Sequence, residues 1–124
     1  MSWQDEVDEL RRQERLAKEM GGKEGIDFQH RRGKLTVRER VDLLADEDSF
    51  QEVGTLTGTA EWDGDELKEL KPSNTVIGIC KVNVRKVSFS GGDCTIRGGA
   101  ADANVGVLRG YIEVLALKSR IPFV

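Results

Sequence analysis

The sequence predicts a mixed α/β fold of the α+β kind, and its 124 residues suit one small domain. In the first 48 residues, apolar side chains recur at helical spacing among many charges. From residue 50 onward they alternate or run together, as in strands. A glycine-rich junction near residue 98 then leads from a strand-like segment into a second helical pattern. These changes of period along the chain favour helices packed on a partial sheet.

The first helix is predicted over residues 3–20. Ser2 precedes it as a candidate cap, with Asp5 in the capping-box position, and Gly21 and Gly22 are expected to end it. Its apolar positions form a narrow stripe: Trp3, Val7, Leu10, Ala17 and Met20. A stripe this narrow indicates an arm that lies on another surface, within the subunit or on a neighbour.

A second, shorter helix is predicted after a loop. Residues 21–34 are rich in glycine and charge, which is typical of a loop. Thr36 and Glu39 then form a capping box, and the next apolar positions share one helical face: Val37, Val41 and Leu44. Three acidic residues at positions 46–48 oppose the helix dipole and predict the end of the helix there.

Strands are predicted from residue 50. Residues 50–55 alternate as one strand, and residues 58–74 are polar enough to form a surface excursion with a turn at Asp63-Gly64. Residues 75–82 and 85–90 are β-rich runs joined by only Asn83 and Val84. They predict a hairpin, although the link lacks the usual Asn-Gly chemistry.

The last third predicts a strand–helix–strand unit. Residues 94–96 are expected to form a short strand, residues 101–119 a helix, and residues 121–124 the beginning of a buried strand. A second strand of this kind needs partners in a sheet. The pattern is therefore interpreted as a truncated gene product or a piece cut from a longer protein.

Charge and hydropathy exclude several classes of partner. The net charge is −3, and basic residues alternate with acidic ones, which argues against nucleic acid. The single compact basic run, residues 31–34, is interpreted as a solvated loop, with contact to a phosphate as the alternative. There is no signal-peptide core and no run of 18 apolar residues, so no membrane partner and a cytoplasmic location are expected.

The residues that commonly ligate metals or act as nucleophiles are sparse. Cys80 and Cys94 each lie in an apolar, strand-like segment without zinc spacing, and reduced thiols are expected. His30 is the only histidine and lies in a charged segment, so neither a metal site nor a histidine-activated nucleophile is predicted. The acidic group near residues 63–66 is interpreted as a solvated loop.

The segment best suited to chemistry is the junction Arg97-Gly98-Gly99-Ala100. Glycines let a backbone approach a ligand closely, and free N–H groups can hold an oxygen that becomes negative during a reaction. The spacing fits neither the dinucleotide fingerprint nor the P-loop. Two interpretations remain: backbone donors near Gly99 and Ala100, or a turn that only lets the helix pack on the strand. The local pattern alone favours the second.

Several motifs in order resemble one known family. Residues 33–46 (GKLTVRERVDLLAD) and 49–54 (SFQEVG) closely resemble the opening of the carboxyltransferase (beta) subunits of propionyl-CoA and related biotin-dependent acyl-CoA carboxylases. Residues 93–102 (DCTIRGGAAD) are similar to the Asp-Phe-Thr-Val-Arg-Gly-Gly stretch of that family. Residues 20–22, 29–34, 111–113 and 120–122 match in kind and order.

The resemblance implies a partial crotonase-like β-β-α fold preceded by a helical arm. Residues 1–33 would form the arm, and residues 34–124 the first part of the amino-terminal carboxyltransferase domain. It also implies that carboxybiotin on a partner carrier protein delivers a carboxyl group to an acyl-CoA whose enolate oxygen is held by backbone N–H groups. On this basis Gly98, Gly99 and Ala100 are expected to face the thioester, and Arg97 is a candidate coenzyme A contact.

The same resemblance implies partners and limits. No cofactor is expected to bind directly, a biotin carboxylase and a biotin carrier subunit are expected partners, and the intact form is expected to oligomerise. Family subunits are several times longer, so no catalytic set is complete here and the chain alone is expected to be inactive. For a eukaryotic protein the expected location is the mitochondrial matrix, although no transit peptide is seen.

Two departures from the family bear on substrate binding. Val107 and Leu108 stand where relatives usually have Asp-Lys, and residues 81–85 replace a small glycine turn.

Two alternatives remain beside the carboxyltransferase. The apolar stripe from Trp3 to Met20 and the unfinished strand at 121–124 favour a non-catalytic assembly module that docks on a full-length carboxyltransferase. A related acyl-CoA decarboxylase would share the same motifs.

Overall fold

A computed structural model describes residues 2–100 and 105–124. In chain order its helices and strands are α1 (Gln4–Lys18), α2 (Gly22–Arg31), α3 (Val37–Leu44), β1 (Gln51–Val53), β2 (Gly58–Asp63), β3 (Glu66–Pro72), β4 (Thr75–Val82), β5 (Arg85–Gly92) and α4 (Val105–Ser119). A 3₁₀ turn at Arg97–Gly99 precedes α4. The predicted start of α4 at residue 101 lies outside the described residues. The mixed fold class is confirmed.

The main sheet has three antiparallel strands in the order β1-β4-β5. The segment after α4 lies parallel to β5 and bonds to it: the Ser88 N–H donates to the Pro122 oxygen at 2.9 Å, and the Val124 N–H donates to the Ser88 oxygen at 2.8 Å. The sequence was interpreted as a strand barely begun and lacking its partner, whereas the structure pairs it with β5 through one bridge. Its predicted burial is wrong, because Phe123 and Val124 are 44% and 51% exposed.

Helices cover both faces of this sheet. The sheet therefore separates the hydrophobic core into two clusters, one on each face. One face packs against α3 through the first cluster: Val37, Val41, Val76, Cys80, Val87 and Phe89. The other face packs against α4 through the second cluster: Ile77, Leu108 and Ile112. Adjacent β4 residues point to opposite faces, so Val76 and Ile77 belong to different clusters.

The capping predictions differ in outcome. At α3 the box forms: the Glu39 N–H donates to Thr36 Oγ1 at 3.2 Å, and the Thr36 N–H donates to Glu39 Oε2 at 2.7 Å. At α1 the Ser2 hydroxyl accepts the Gln4 N–H at 3.1 Å, but the helix begins after Trp3 and the box with Asp5 is absent.

The prediction of a loop over residues 21–34 is wrong, because α2 occupies most of it. Gly21 and Gly25 lie against the Thr95 carbonyl group; a Cβ on Gly25 would be 2.7 Å from that oxygen, and one on Gly21 would overlap it. These glycines serve close packing rather than helix termination. The amino-terminal arm therefore contains two helices and contacts the rest of the chain.

The surface excursion at residues 58–74 is a two-stranded antiparallel ribbon of β2 and β3. Its turn follows Asp63, and Gly64 has a φ of 60° there, as the Asp-Gly signal indicated. The strand content was missed because every side chain of β2 is exposed, which leaves no apolar alternation. Leu67 of β3 is buried, and α1 contacts this strand.

The predicted strand over residues 94–96 is also wrong. The Asp93 carboxylate accepts hydrogen bonds from both the N–H and the hydroxyl of Thr95, at 2.9 and 2.6 Å. These bonds close a local turn, which is the common alternative to a strand for aspartate two residues before a donor. Cys94 is consequently exposed in a turn, whereas Cys80 is buried in β4, and both thiols are free.

The β4–β5 hairpin turn is as short as predicted and has an unusual residue. Asn83 and Val84 both have positive φ, 49° and 62°, as a type I′ turn requires. The Asp46 carboxylate, beyond the end of α3, accepts the N–H groups of both residues, at 2.9 and 2.7 Å. A β-branched valine at positive φ is strained, and the carboxylate compensates by bonding both donors.

Replacing Val84 by glycine is expected to stabilise the chain by about 0.5–1 kcal/mol, because relief of roughly 1–2 kcal/mol of left-handed strain exceeds the roughly 0.5–1 kcal/mol of added unfolded-state entropy. Val84 is 83% exposed, so little packing is lost. Urea unfolding followed by circular dichroism measures the change. The control is Val82→Gly, at a strand position without positive φ, which should be destabilising; stabilisation by both variants would contradict the strain argument.

Candidate functional site

The glycine junction forms an exposed loop in a left-handed conformation. Arg97, Gly98 and Gly99 have φ angles of 48°, 63° and 83°, and residues 97–100 are all exposed. Glycine adopts such angles at no steric cost, whereas Arg97 does so under strain. Backbone strain of this kind concentrates at functional sites, which makes the loop a candidate site.

The N–H groups of the loop are differently engaged. Gly99 donates to the Ile96 oxygen at 2.9 Å, and Ala100 donates to the Arg97 oxygen at 3.1 Å. The Gly98 N–H makes no hydrogen bond with any residue in 2–100 or 105–124. The two donors favoured by the sequence would have to exchange their present acceptors for a substrate oxygen, whereas the Gly98 N–H has no acceptor to exchange among the described residues.

A cleft of about 690 Å³ lies beside the loop. Ile96 and Arg97 line one side of the cleft. The residues between α1 and α2 line the second side, and the β2–β3 ribbon lines the third. Its ionic residues are mixed in sign: Glu19, Lys68, Glu69, Lys71 and Arg97. Lys71 pairs with Glu69 at 3.3 Å, and Lys68 pairs with Glu66 at 3.1 Å. Arg97 is the junction residue that lines this cleft, whereas Gly98, Gly99 and Ala100 are exposed without lining it.

Three polar residues that the sequence analysis did not single out hold the loop at both ends. Asp93, 1% exposed, binds Thr95 as described above, and its N–H donates to the Asn74 oxygen at 2.8 Å. The Asn74 side-chain amide donates to the Ala100 oxygen. An aspartate two residues before a threonine is a known turn signal and could have identified Asp93 and Thr95. Nothing local indicated Asn74.

The remaining candidates lie away from the loop. His30 is on α2 rather than in a loop, and it bonds Glu39 at 2.9 Å. The hydrogen bond from His30, followed by one from the Thr36 backbone, holds the pKa of Glu39 below its usual value. Arg32 lies over the Phe28 ring at 5.4 Å, and Arg31 is the last residue of α2, so the basic run is partly helical.

The thiols and acidic residues show no metal chemistry within the described part of the chain. Burial, followed by the charge of Asp46, raises the pKa of the Cys80 thiol and disfavours its reactive form. Residues 2–100 and 105–124 contain no group of three metal-ligating side chains. At the ribbon turn Asp63 lies 3.9 Å from Lys68, a solvated ion pair.

Within residues 2–100 and 105–124, no helix has the length and apolar character needed to cross a membrane.

The structure shows different environments for Val107 and Leu108, which stand where relatives usually have Asp-Lys. Leu108 is 6% exposed and joins the second core cluster, whereas Val107 is 72% exposed on the outer face of α4. One of the two changes thus contributes to the core, and the other leaves an apolar side chain on the surface.

Comparison with known sequences gives a consistent result. Residues 28–124 match the Carboxyl transferase domain family. The propionyl-CoA carboxylase beta chain of Roseobacter denitrificans is 39% identical over 98 residues, which is 77% of this chain and 19% of that protein. The methylmalonyl-CoA decarboxylase subunit alpha of Veillonella parvula is 32% identical over 114 residues, 90% of this chain and 22% of that protein.

Comparison with solved structures agrees. A transcarboxylase 12S structure with methylmalonyl-coenzyme A bound superposes on 99% of this chain and 24% of its own, with a TM-score of 0.85 and 28% identity. The beta subunit of P. aeruginosa geranyl-CoA carboxylase superposes with a TM-score of 0.76 at 22% identity, a likeness of fold alone. The fold is that of the crotonase-like carboxyltransferases, and the chain spans about a fifth of the length of the curated relatives above.

Proposed function

This chain belongs to the carboxyl transferase domain family, and we propose that it supplies the acyl-CoA side of a carboxyltransferase of the propionyl-CoA carboxylase type. The proposed reaction moves a carboxyl group from carboxybiotin, held by a partner carrier protein, to the α-carbon of an acyl-CoA. The observation that carries the proposal is the exposed glycine loop beside an open cleft, in a chain matched to this family over residues 28–124.

The proposed carboxyl transfer requires a hydrogen-bond donor near the thioester oxygen. The α-proton that the carboxyl group replaces would pass to the biotin that gave up the carboxyl group. As the proton leaves, the thioester oxygen gains negative charge, and a preorganised donor aimed at that oxygen lowers the barrier by about 3 kcal/mol. The Gly98 N–H is the donor with no bond to the described residues, and Gly99 and Ala100 follow it in the proposed site. Arg97, at the cleft, is proposed to bind a phosphate of coenzyme A, because a guanidinium forms paired bonds to phosphate oxygens.

The match covers a limited part of the relatives. The chain spans 19% of one carboxylase subunit and 24% of the transcarboxylase, so we propose that carboxyl transfer needs the remaining regions, in the same chain or in trans. Biotin enters this proposal only as the carboxyl donor and proton acceptor on a carrier and is assigned no contact with these residues. We further propose residues 1–33 as an arm and 34–124 as the first part of the catalytic domain, with a carboxylase and a carrier subunit as partners in an oligomer.

A decarboxylase is the second candidate, favoured by the 32% identity over 90% of this chain. Both reactions place negative charge on the same thioester oxygen, so both would use the same loop. A non-catalytic assembly role is the third, supported by the exposure of Trp3, just before α1, and of Leu10 on α1. It requires no acyl-CoA binding, which separates it from the other two.

Propionyl-CoA is expected to shift the amide resonances of residues 97–100 when added to the ¹⁵N-labelled chain. Arg97→Met is expected to weaken binding about tenfold, because a charged hydrogen bond contributes roughly 1.5–3 kcal/mol. Lys118→Met, at the far end of α4, is the matched control and should change the affinity less than about twofold.

Two outcomes would count against the proposal. Absence of any shift in residues 97–100 at millimolar propionyl-CoA would contradict an acyl-CoA site, and co-purification with a full-length carboxyltransferase would then support the assembly role. In a coupled assay with a competent carrier carrying carboxybiotin, the chain alone is expected to give no malonyl-type product. Product above background would contradict the need for the remaining regions.

A further inference from the structure

The Thr95 hydroxyl joins two parts of the molecule that are distant in sequence. It donates to Asp93 Oδ1 at 2.6 Å and accepts the Gly21 N–H at 2.9 Å. The first bond lies within the turn before the glycine loop, and the second reaches the start of α2, 74 residues earlier. A hydroxyl donates and accepts through the same oxygen, so both bonds depend on this single atom.

The backbone of Thr95 makes the same connection. Its carbonyl group lies against Gly21 and Gly25, so closely that a Cβ on either glycine would collide with it. Contact without side chains fixes the separation between α2 and the turn, since neither partner has a flexible group to rearrange. The arm and the loop therefore meet as two rigid backbones at Thr95.

The far end of the loop is held through Asn74. Asp93 is buried, its N–H bonds the Asn74 oxygen, and the Asn74 amide bonds the Ala100 oxygen. Arg97, which is strained at positive φ, and the two glycines that follow it lie between these two attachments. Strained backbone persists only where the surroundings determine it, so the attachments have to supply that constraint.

We propose that Thr95 is a positioning residue, through which the α1–α2 arm sets the conformation of the Arg97–Ala100 loop. Asp93 acts with it as the acceptor that orients the hydroxyl. The positioning itself rests on the contacts above; its consequence for acyl-CoA binding rests on the proposed function. The arm is then part of the substrate site's support rather than only a surface for assembly.

The test compares Thr95→Val, which keeps the shape and removes the hydroxyl, with Thr95→Ser, which keeps the hydroxyl. Amide hydrogen exchange is read at Gly21, Gly99 and Ala100. In the Thr95→Val variant, exchange at these three amides is expected to be about tenfold faster, because the Asp93 carboxylate and the Gly21 N–H each lose a hydrogen-bond partner. In the Thr95→Ser variant, the exchange rates should stay within about twofold of the wild type. Unchanged exchange at Gly99 and Ala100 in the valine variant would overturn the proposal.

Alkylation of the two native cysteines gives a second measurement of the loop conformation. Cys94 is exposed in the same turn and its sulfur lies near Gly99, whereas Cys80 is buried and serves as the internal control. Valine is expected to change the rate of Cys94 alkylation severalfold and leave that of Cys80 unaltered. Equal changes at both thiols would indicate general unfolding and contradict a local role.

The wild-type chain keeps the proposal testable if the valine variant fails to fold. Under mild denaturant, Gly21 and Gly99 are expected to lose exchange protection at the same concentration, because one attachment serves both. Loss of Gly21 protection well before Gly99 would overturn the coupling.

Propionyl-CoA titration distinguishes this inference from the proposed function. If the wild type binds, valine should weaken binding about tenfold and serine less than about twofold, since the loop then has to be ordered on binding. Equal affinity of the valine variant, despite faster loop exchange, would overturn the link to the substrate. If the wild type does not bind, the proposed function fails, while the exchange data still decide whether Thr95 positions the loop.

Discussion

Replacing Ile112 by alanine is expected to lower the free energy of unfolding by about 3–4 kcal/mol. Ile112 is fully buried between α4 and the sheet, where it packs with Ile77 and Leu108. The loss combines the transfer free energy of the deleted carbons with the cavity that they leave. Among the described residues, the second cluster has three buried members and two partly buried neighbours, Val53 and Leu115, so few side chains can move to fill the space. For a domain of ordinary stability this is a large share of the total.

Urea unfolding monitored by circular dichroism measures the Ile112 effect. Leu117→Ala is the matched control, since Leu117 lies on the same helix and is 79% exposed, and it should change stability by less than about 0.5 kcal/mol. A loss below about 1 kcal/mol for Ile112→Ala would show that α4 is not packed on the sheet as described.

Replacing Arg38 by methionine is expected to cost about 2–3 kcal/mol. Two nitrogens of Arg38 donate to the two oxygens of Glu52, at 3.0 and 2.8 Å, and tie α3 to β1. The side chains are only 22% and 11% exposed, so the carboxylate left behind would be a charge largely removed from water. The expected loss is at the lower end for buried pairs because some solvent still reaches both groups.

A double-mutant cycle separates the pair from its surroundings. Arg38→Met combined with Glu52→Leu should recover at least about half of the loss, because the unpaired charge is then absent. Lys23→Met removes an exposed pair, with Asp27 at 3.3 Å, and should cost less than about 0.5 kcal/mol. A double variant no more stable than Arg38→Met alone would refute the unpaired-charge explanation.

Elements specified by local chemistry were predictable from the sequence. The capping box at Thr36 and Glu39 places the start of α3, because both partners lie within four residues. The β4–β5 hairpin was predicted from two β-rich runs with only two residues between them. Both signals need no knowledge of distant contacts.

Elements that depend on distant contacts were missed. Gly21 and Gly25 carried the sequence pattern of a loop, yet α2 forms there because these glycines meet Thr95, 74 residues after Gly21. The β2–β3 ribbon has too few buried residues to alternate. Tertiary packing explains the formation of α2, and backbone hydrogen bonds between the strands explain the ribbon.

The candidate site was predictable in position but not in detail. The exposed loop at Gly98 and Gly99 lies where the glycines indicated. The internal bonds of the Gly99 and Ala100 N–H groups follow from the 3₁₀ turn, which no local pattern announced. The support by Asn74 depends on a contact 26 residues away and could come only from the structure.

The Asp46 carboxylate at the hairpin tip also protects the pairing of β4 with β5. A slip of one residue would turn every side chain of the moved strand to the opposite face, so that Ile77 would lie beneath α3 and Cys80 beneath α4. Because the Asp46 carboxylate bonds two successive N–H groups of the two-residue turn, it stabilises the observed alignment of the strands. An acid outside the sheet thus helps to determine which side chains each helix receives.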